Sequence, residues 1–301
     1  MLSILIPIYN CNVVKLVDTL HKQCRKEKIT FEILCFDDGS DLETRKENAP
    51  LAAYFGVNYT ELSRNLGRAR IRNWLAKSAS YDNLLFLDCD SKVSGRKFVR
   101  NYIDVIGKHK IVSGGRNYSK SPPRAKSKKL HWLYGTHRES KSAAFRNKHP
   151  YLFFHSNNFL VEQKIFKSVF FNEEIEGYGY EDLLWAERVK GQNLEIHHID
   201  NPVQHLGLEK NTVFLAKTRE SIDNLLRLKY RSSPLGTRLE KAAQLLLDNG
   251  FHEDFMKIYK YREDAIEKNI LSANPRIKNL DYYKLNYYLS QRAKWVQGDL
   301  N

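Results

Sequence analysis

The most constraining stretch of the sequence is residues 84–90 (LLFLDCD), in which four large apolar residues run directly into two carboxylates separated by one residue. A short apolar run of this kind predicts a strand covered on both faces, as in a parallel sheet. Because side chains alternate along a strand, Asp88 and Asp90 point to the same side. Two close carboxylates repel each other unless a cation or a proton lies between them, so the spacing favours a divalent metal. The alternative interpretation is that the two residues only begin a turn.

Strand-like and helix-like segments alternate along the N-terminal half of the chain. Apolar runs at residues 2–9 and 31–36 predict two further buried strands, and helical patterns cover 13–27 and 68–79. Strands that alternate with helices in this way form doubly wound, mostly parallel sheets. We therefore predict the α/β class.

Polar residues stand where several of these strands end. Tyr9 closes the strand at 2–9, Asp37 and Asp38 follow the strand at 31–36, and Asp88 and Asp90 follow the strand that begins at residue 84. Ligands of doubly wound sheets bind at the carboxyl ends of the strands, where the loops gather. The sequence therefore predicts that these side chains meet at one edge of the sheet.

The chain is strongly basic. Its 301 residues contain 49 lysines and arginines against 35 aspartates and glutamates, which gives a formal net charge of +14. Such a charge favours acidic partners, which are nucleic acid, anionic lipid headgroups or phosphorylated substrates. Neither zinc-finger spacing nor an RNA-recognition signature is visible, so nucleic acid is the weaker alternative and we expect no nucleic-acid partner.

Basic residues are concentrated between residues 116 and 149. A long polar segment inside a compact domain is either a lid or a disordered insertion, and the sequence leaves both open. As a lid, the segment would neutralise phosphates of a bound nucleotide or of the acceptor. Trp132 and Tyr134 within it are candidates for stacking on a sugar ring or for anchoring the segment to the core.

Three features bear on location. No segment approaches the ~18 uninterrupted apolar residues of a membrane-spanning helix, and the N-terminus lacks the basic leader and cleavage site of a signal peptide. Four cysteines show no CxxC pair and no regular metal-ligand spacing, which is typical of free thiols in a reducing compartment. We therefore expect a cytoplasmic protein, and its charge favours peripheral contact with the anionic inner face of the cell membrane.

A further acidic motif follows the basic segment. Residues 177–188 (GYGYEDLLWAER) read as a glycine-hinged loop that opens a helix, and two acids in the first turn interact well with the helix dipole whatever their function. From about residue 213 the pattern is helical and without repeats. We predict a catalytic domain over 1–215 that includes the basic segment 116–149, and a helical extension over 216–301.

Six motifs together resemble the family 2 glycosyltransferases of GT-A fold, whose sheet is Rossmann-like and doubly wound. In chain order they are SILIPIYN at 3–10, FDDGS at 36–40, RNLGRARIRN at 64–73, LLFLDCD at 84–90, GYGYEDLLWAERV at 177–189 and HLG at 205–207. The resemblance covers about residues 2–215. The ED motif followed by a histidine resembles the galactosyltransferase-like and chondroitin-polymerase-like members.

The resemblance implies a role for each motif residue. Asp90 and His205 would bind a manganese or magnesium ion, Asp182 would be the catalytic base, and Glu181 its neighbour near the acceptor. Residues from four of the motifs would hold the nucleotide-sugar. These residues are Pro7, Tyr9, Asp37, Asp38, either Arg68 or Arg72, and Asp88.

The chemistry explains these residue types independently of the resemblance. A divalent cation neutralises the diphosphate that leaves as the glycosidic bond breaks, and a carboxylate takes the proton of an acceptor hydroxyl, which is a poor nucleophile. We expect an inverting, metal-dependent enzyme that moves a hexose or N-acetylhexosamine from a UDP-sugar to a glycan or lipid-linked saccharide, in surface polysaccharide biosynthesis. The alternatives are a nucleic-acid-binding module, in which the acids are structural, and a nucleotidyltransferase, which leaves the 181–182 and 205–207 motifs without a role.

Overall fold

The computed structural model describes residues 1–175, 177–231 and 235–297. The chain divides into two compact units. The first unit comprises Met1–Tyr118, Glu139–Ile175 and Glu181–Gly207. The second unit comprises Ser119–Arg138, Glu176–Tyr180 and Leu208–Asn301.

All strands of the described residues lie in the first unit. The larger sheet has seven, Leu2–Ile8 (β1), Phe31–Asp37 (β2), Val57–Glu61 (β3), Asn83–Leu87 (β4), Ile111–Ser113 (β6), Asn158–Glu162 (β8) and His197–His198 (β9). The smaller has three, Ser91–Lys92 (β5), Arg116–Asn117 (β7) and Val203–His205 (β10). The helices of the first unit are Val14–Lys26 (α1), Leu42–Asn48 (α2), Arg68–Ser78 (α3), Phe98–Ile103 (α4), Ala143–Arg146 (α6), Gln163–Ser168 (α7) and Glu181–Gly191 (α8).

The larger sheet has the order β3-β2-β1-β4-β8-β6-β9 and is mostly parallel, as predicted. One strand departs from this direction, because β8 runs antiparallel to both of its neighbours, β4 and β6. In the β4–β8 register, Leu87 at the carboxyl end of β4 pairs with Asn158 at the start of β8. Residues just before β8 therefore lie at the same edge as the carboxyl ends of the parallel strands.

Strand β4 is buried on both faces, which explains its unbroken apolar run. Leu84 and Phe86 belong to one hydrophobic cluster, with Phe159 and Trp185, whereas Leu85 and Leu87 belong to a second cluster on the opposite face. The rings of Phe86 and Phe159 are stacked with their centroids 4.7 Å apart. A strand enclosed in this way fixes where its chain leaves the core, and here it leaves at Asp88.

The second unit is helical, and the basic segment supplies one of its helices. Its helices are Lys129–Tyr134 (α5), Asn211–Arg231 (α9), Arg238–Asp248 (α10), His252–Leu271 (α11) and Ile277–Gln297 (α12). Leu130 of α5 lies in one hydrophobic cluster with Phe214, Leu215 and Leu280. This packing is the physical reason why the second unit contains residues 119–138 and differs from the predicted extension over 216–301.

The basic stretch 116–149 is thus shared between the two units. In the first unit, Arg146 is only 2% exposed and donates hydrogen bonds to the carbonyls of Gly114 (3.2 Å) and Ile199 (2.8 Å). In the second unit, the Tyr134 ring packs on Phe214 with centroids 5.5 Å apart. Several of its basic or aromatic side chains are therefore part of the packed structure.

Two aromatic side chains of the helical tail, Tyr283 and Tyr288, are buried at 3% and 1% exposure. The four cysteines are free thiols. Among the described helices, none combines the length and the apolar character that crossing a membrane requires.

A buried ion pair joins α3 to the end of β4. The Arg72 guanidinium is 4% exposed, and its Nη2 lies 2.5 Å from Oδ1 of Asp88. Its Nη1 donates to the carbonyl of Arg68 at 3.1 Å. Removing one partner of a buried pair strands the other charge, which costs more than the pair itself contributes.

We expect Arg72→Met to lower the free energy of unfolding by about 3 kcal/mol, the lower end of the range for such pairs because Asp88 is partly hydrated. Arg70→Met is the matched control on the same helix, since the Arg70 side chain is 56% exposed and lies 3.8 Å from Glu173. Exposed pairs contribute less than about 1 kcal/mol. Urea unfolding of both variants checks this, and equal losses would contradict a structural role for the pair.

Candidate active site

Two aspartates at the end of β2 organise the loops around them. Asp37 is fully buried and accepts hydrogen bonds from the Ser40 amide (2.7 Å) and the Tyr59 hydroxyl (3.1 Å). Asp38 is 4% exposed and accepts from the amides of Leu66 (2.6 Å) and Gly67 (3.1 Å). Burial raises the pKa of Asp38, although these two amides act in the opposite direction. Both carboxylates therefore hold backbone in place.

The loop before α3 approaches this corner closely. Gly39 has a φ of +78°, and a Cβ there would come within 2.7 Å of the backbone of Arg64 and Asn65. Only glycine tolerates both the dihedral angle and the contact. The FDDGS and RNLG motifs thus form one structural corner.

Pro7 and Tyr9 lie on the neighbouring strand and the turn that follows it. Pro7 pairs with Phe36 in the β1–β2 register, while the Tyr9 ring is 53% exposed. The next residue, Asn10, has a φ of +48° and donates from its amide to Oγ of Ser40 at 2.8 Å. An exposed aromatic ring on a fixed turn is suited to stacking on a flat ligand.

Asp90 and His205 are brought together by the smaller sheet. His205 pairs with Ser91 in the antiparallel β10–β5 register, and its Nδ1 lies 3.3 Å from Oδ2 of Asp90. Burial favours the neutral acid, but the hydrogen bond and charge of His205 and the charge of Arg116 outweigh it, so the pKa of Asp90 is lowered. Gly207 lies against this pair, because a Cβ there would meet Oδ2 of Asp90 at 2.1 Å.

This pair has the chemistry of an open metal site. A carboxylate is a ligand of manganese and magnesium ions, an imidazole binds several transition metals, and two protein ligands leave positions for the phosphates of a substrate. Asp88 does not complete the set, since its Oδ1 is engaged by Arg72. No cluster of three or more His, Cys, Asp or Glu side chains suited to a metal occurs within 1–175, 177–231 and 235–297.

Asp182 stands in the first turn of α8 beside His155. Its Oδ2 lies 3.5 Å from Nδ1 of His155, and its Oδ1 accepts from the Leu183 amide at 2.8 Å. Burial opposes ionisation of Asp182, but the hydrogen bond and charge of His155, with the charge of Arg116, leave its pKa lowered. Asp182 is therefore held in the deprotonated form.

The neighbouring Glu181 has the opposite tendency. It is 7% exposed, and burial first and the charge of Asp182 second raise its pKa. Nη1 of Arg68 lies 3.7 Å from Oε1 of Glu181, so the arginine predicted to line the nucleotide site contacts this acid. Adjacent acids whose pKa values are moved apart are a feature of acid and base sites.

Sequence reasoning missed two site residues, Arg116 and His155. Arg116 donates from Nε to Oδ1 of Asn157 at 3.2 Å, and its Nη1 lies 3.1 Å from Oε2 of Glu139. Burial would lower the pKa of Arg116, but Glu139 and other negative neighbours raise it well above its usual value. Its position just after β6 was the available signal. His155 precedes β8 and reaches this edge only because that strand is antiparallel.

Solved structures with this fold include two glycosyltransferases. The chain is 17% identical to S. aureus TarS 1-349, with 99% of this chain and 91% of TarS covered and a TM-score of 0.51. A TarS 1-349 structure in complex with UDP-GlcNAc is 16% identical, with 99% and 92% covered and a TM-score of 0.51. The mannosyltransferase PcManGT from Pyrobaculum calidifontis, in complex with GDP-Man and Mn²⁺, is 12% identical, with 95% and 87% covered and a TM-score of 0.58.

These likenesses confirm the predicted GT-A fold, a mostly parallel α/β sheet followed by C-terminal helices. No curated protein matches the chain. The sequence profile described as "Glycosyl transferase family 2" matches residues 3–170, which is more than half of the chain. The chain therefore belongs to glycosyl transferase family 2, and it is a glycosyltransferase.

Proposed function

We propose that this glycosyltransferase moves a hexose or N-acetylhexosamine from a UDP-sugar to a hydroxyl of a glycan or lipid-linked saccharide, with inversion and with a divalent metal. The observation that carries the proposal is the presence of two aspartate–histidine pairs, Asp90 with His205 and Asp182 with His155, within the first unit. Two further parts of the proposal are a role in surface polysaccharide biosynthesis and peripheral contact with an anionic membrane face, and the net charge of +14 favours the membrane contact.

The donor would lie along the carboxyl edge of the sheet. The exposed Tyr9 ring would stack on the base, and Asp38 would support the base pocket through the amides of residues 66 and 67 that it holds. The basic side chains of Arg68 and Arg116 would balance the charge of the diphosphate. A manganese or magnesium ion held by Asp90 and His205 would supply further charge neutralisation as the leaving group departs.

Asp182 would be the catalytic base. It is deprotonated, so it can accept the proton of the acceptor hydroxyl as that oxygen attacks the anomeric carbon. His155 would orient the carboxylate through its Nδ1, 3.5 Å away. A single displacement with one base and no covalent sugar intermediate inverts the configuration at the anomeric carbon.

Donor choice is tested by calorimetric titration of the full chain with UDP and with GDP, each with and without Mn²⁺. We expect UDP to bind more tightly than GDP and only with the metal. Tighter binding of GDP would replace the UDP-sugar by a GDP-sugar, and binding of neither nucleotide would overturn the proposed donor site. A short DNA duplex in the same series tests the nucleic-acid alternative, which family membership does not support.

We expect Asp182→Asn to reduce transfer by about 10²–10⁴-fold, because the amide cannot accept the proton. Nucleotide affinity should stay unchanged, since Asp182 acts on the acceptor. The control is Asp254→Asn, whose carboxylate is 69% exposed on α11. Turnover of UDP-sugars with a panel of saccharide acceptors measures the effect, and full activity in Asp182→Asn would show that the base is another residue.

Gly207→Ala tests the metal site without removing either proposed ligand. The added Cβ would meet Oδ2 of Asp90 at 2.1 Å and force that carboxylate to rotate. We expect Mn²⁺-dependent UDP affinity to fall by about 10–100-fold, as for other disturbances of ligand orientation. Gly95→Ala is the control, since no atom lies within 4 Å of the added carbon. Equal UDP affinity in both variants would argue against the Asp90 role.

His155→Gln tests how the base is held ionised. The histidine lowers the pKa of Asp182 through its hydrogen bond and charge, so its removal should raise that pKa. The rising acid limb of kcat/KM should then move to higher pH, because the base is protonated over a wider acidic range. The exposed His149→Gln is the control. An acid limb that stays in place, or moves to lower pH, would contradict this assignment.

A further inference from the structure

The second unit contains a polar cavity whose lining includes none of the residues assigned to the donor, the metal or the base. Its volume is about 420 Å³, which lies within the range of small-molecule sites. One face of α9 forms most of the wall, because residues four apart on a helix point the same way. The principal lining residues are Gly177, Arg219, Glu220, Asp223, Asn224 and Arg227.

Two of these residues form hydrogen bonds with the loop that contributes Gly177 to the cavity wall. Glu220 accepts a hydrogen bond from the Tyr178 amide (2.9 Å), and Asn224 donates to the Tyr178 carbonyl (3.1 Å). Gly177 has a φ of +77°, and a Cβ there would come within 2.0 Å of Oε1 of Glu220. Helix α9 therefore binds both backbone polar groups of Tyr178, and only glycine fits beside Glu220 at position 177.

The other lining residues are oriented by aromatic hydroxyls and by one another. Asp223 accepts from the Tyr287 hydroxyl at 3.1 Å, and Arg227 donates from Nη1 to Oδ1 of Asn224 at 3.2 Å. Arg219 donates from Nε to the Tyr283 hydroxyl, and its Nη2 lies 3.9 Å from Oε1 of Glu267. A carboxylate has about four acceptor sites and a guanidinium five donors, so these contacts do not use all the hydrogen-bonding groups of Asp223, Arg219 and Arg227.

The charges of the lining select a class of ligand. Two guanidinium groups face two carboxylates and one amide, so the wall is close to neutral. An anion would meet the carboxylates of Glu220 and Asp223, and a cation would meet the two arginines. A neutral molecule with several hydroxyl groups satisfies both kinds of side chain, because each hydroxyl donates one hydrogen bond and accepts others.

We propose that this cavity binds a neutral sugar unit of the acceptor. The inference rests on the proposed function and adds to it a binding site for one sugar unit of the acceptor. Gly177 stands five residues before Asp182, in the loop that leads into α8. The loop that contributes Gly177 to the lining is therefore continuous in sequence with the helix that carries the candidate base.

The test is saturation-transfer NMR on the full chain with two kinds of probe. The neutral probes are the methyl glycosides of glucose, galactose and N-acetylglucosamine, and the anionic probe is glycerol 1-phosphate. We expect saturation of at least one neutral glycoside, and a loss of about tenfold in its affinity in Arg227→Ala, where a charged hydrogen-bond donor is removed. Asp223→Asn is the second variant, since it keeps the size of the side chain.

Arg262→Ala is the matched control, because Arg262 is exposed on α11. That control should bind the glycosides as the parent protein does. Saturation of glycerol 1-phosphate alone, absence of saturation by every probe, or unchanged glycoside affinity in both cavity variants would each overturn the inference.

A second readout separates this inference from the proposed function. In UDP-sugar turnover, we expect the cavity variants to raise the KM of a saccharide acceptor by about tenfold while the KM of the donor stays constant. Glycoside binding that depends on the cavity, in a protein without UDP-sugar turnover, would leave the cavity assignment in place and reject the donor assignment. Normal UDP-sugar turnover with an unchanged acceptor KM in the cavity variants would keep the donor assignment and reject the cavity assignment.

Discussion

The enclosure of β4 is the constraint on which the candidate site depends. Its side chains are buried on both faces, so the strand cannot shift or twist without exposing core residues to water. Because the chain leaves the core at Asp88, the first polar residues after the strand appear at a fixed point. A carboxylate next to the hydrophobic core requires a partner of opposite charge or a hydrogen-bond donor. Arg72 is that partner for Asp88.

The same rule assigns the remaining acids to different tasks. Asp37 and Asp38 accept hydrogen bonds from backbone amides and from a tyrosine, so they support the corner formed by the FDDGS and RNLG motifs. Asp90 and Asp182 are paired with a histidine each. A histidine can change partners when a metal or substrate arrives, whereas a backbone amide cannot. The two histidine-paired acids are therefore the ones suited to chemistry.

Much of this arrangement was predictable because it follows from local pattern. The apolar run of β4, the strand–helix alternation and the acids after β2 and β4 are all readable at short range, and the fold and family predicted from them are confirmed. The prediction that particular residues bind donor or metal remains a prediction. His155 was out of reach, because its position depends on the direction of β8, which pairs with β4 across more than seventy residues.

Arg116 was missed for a different reason. It begins a stretch so rich in lysine and arginine that a single residue could not be singled out. Its neighbours were equally hidden, since the contact with Glu139 joins two ends of that stretch. The assignment of residues 119–138 to the helical unit likewise depends on apolar contacts such as that of Leu130 with Phe214. The charged composition of this segment predicts its polar surface but gives no information about how it packs.

A base with a lowered pKa raises a question about strength. The most effective general base has a pKa near the working pH. The pKa of Asp182 is lower than that of an ordinary aspartate. Such a base is fully ionised but weak, so it cannot create an alkoxide before bond formation begins. It suffices when the proton moves late, after departure of the diphosphate has made the anomeric carbon strongly electrophilic. In that case the leaving-group side would carry most of the barrier lowering, and the positive side chains and proposed metal ligands near Asp90 would matter more for rate than the basicity of Asp182.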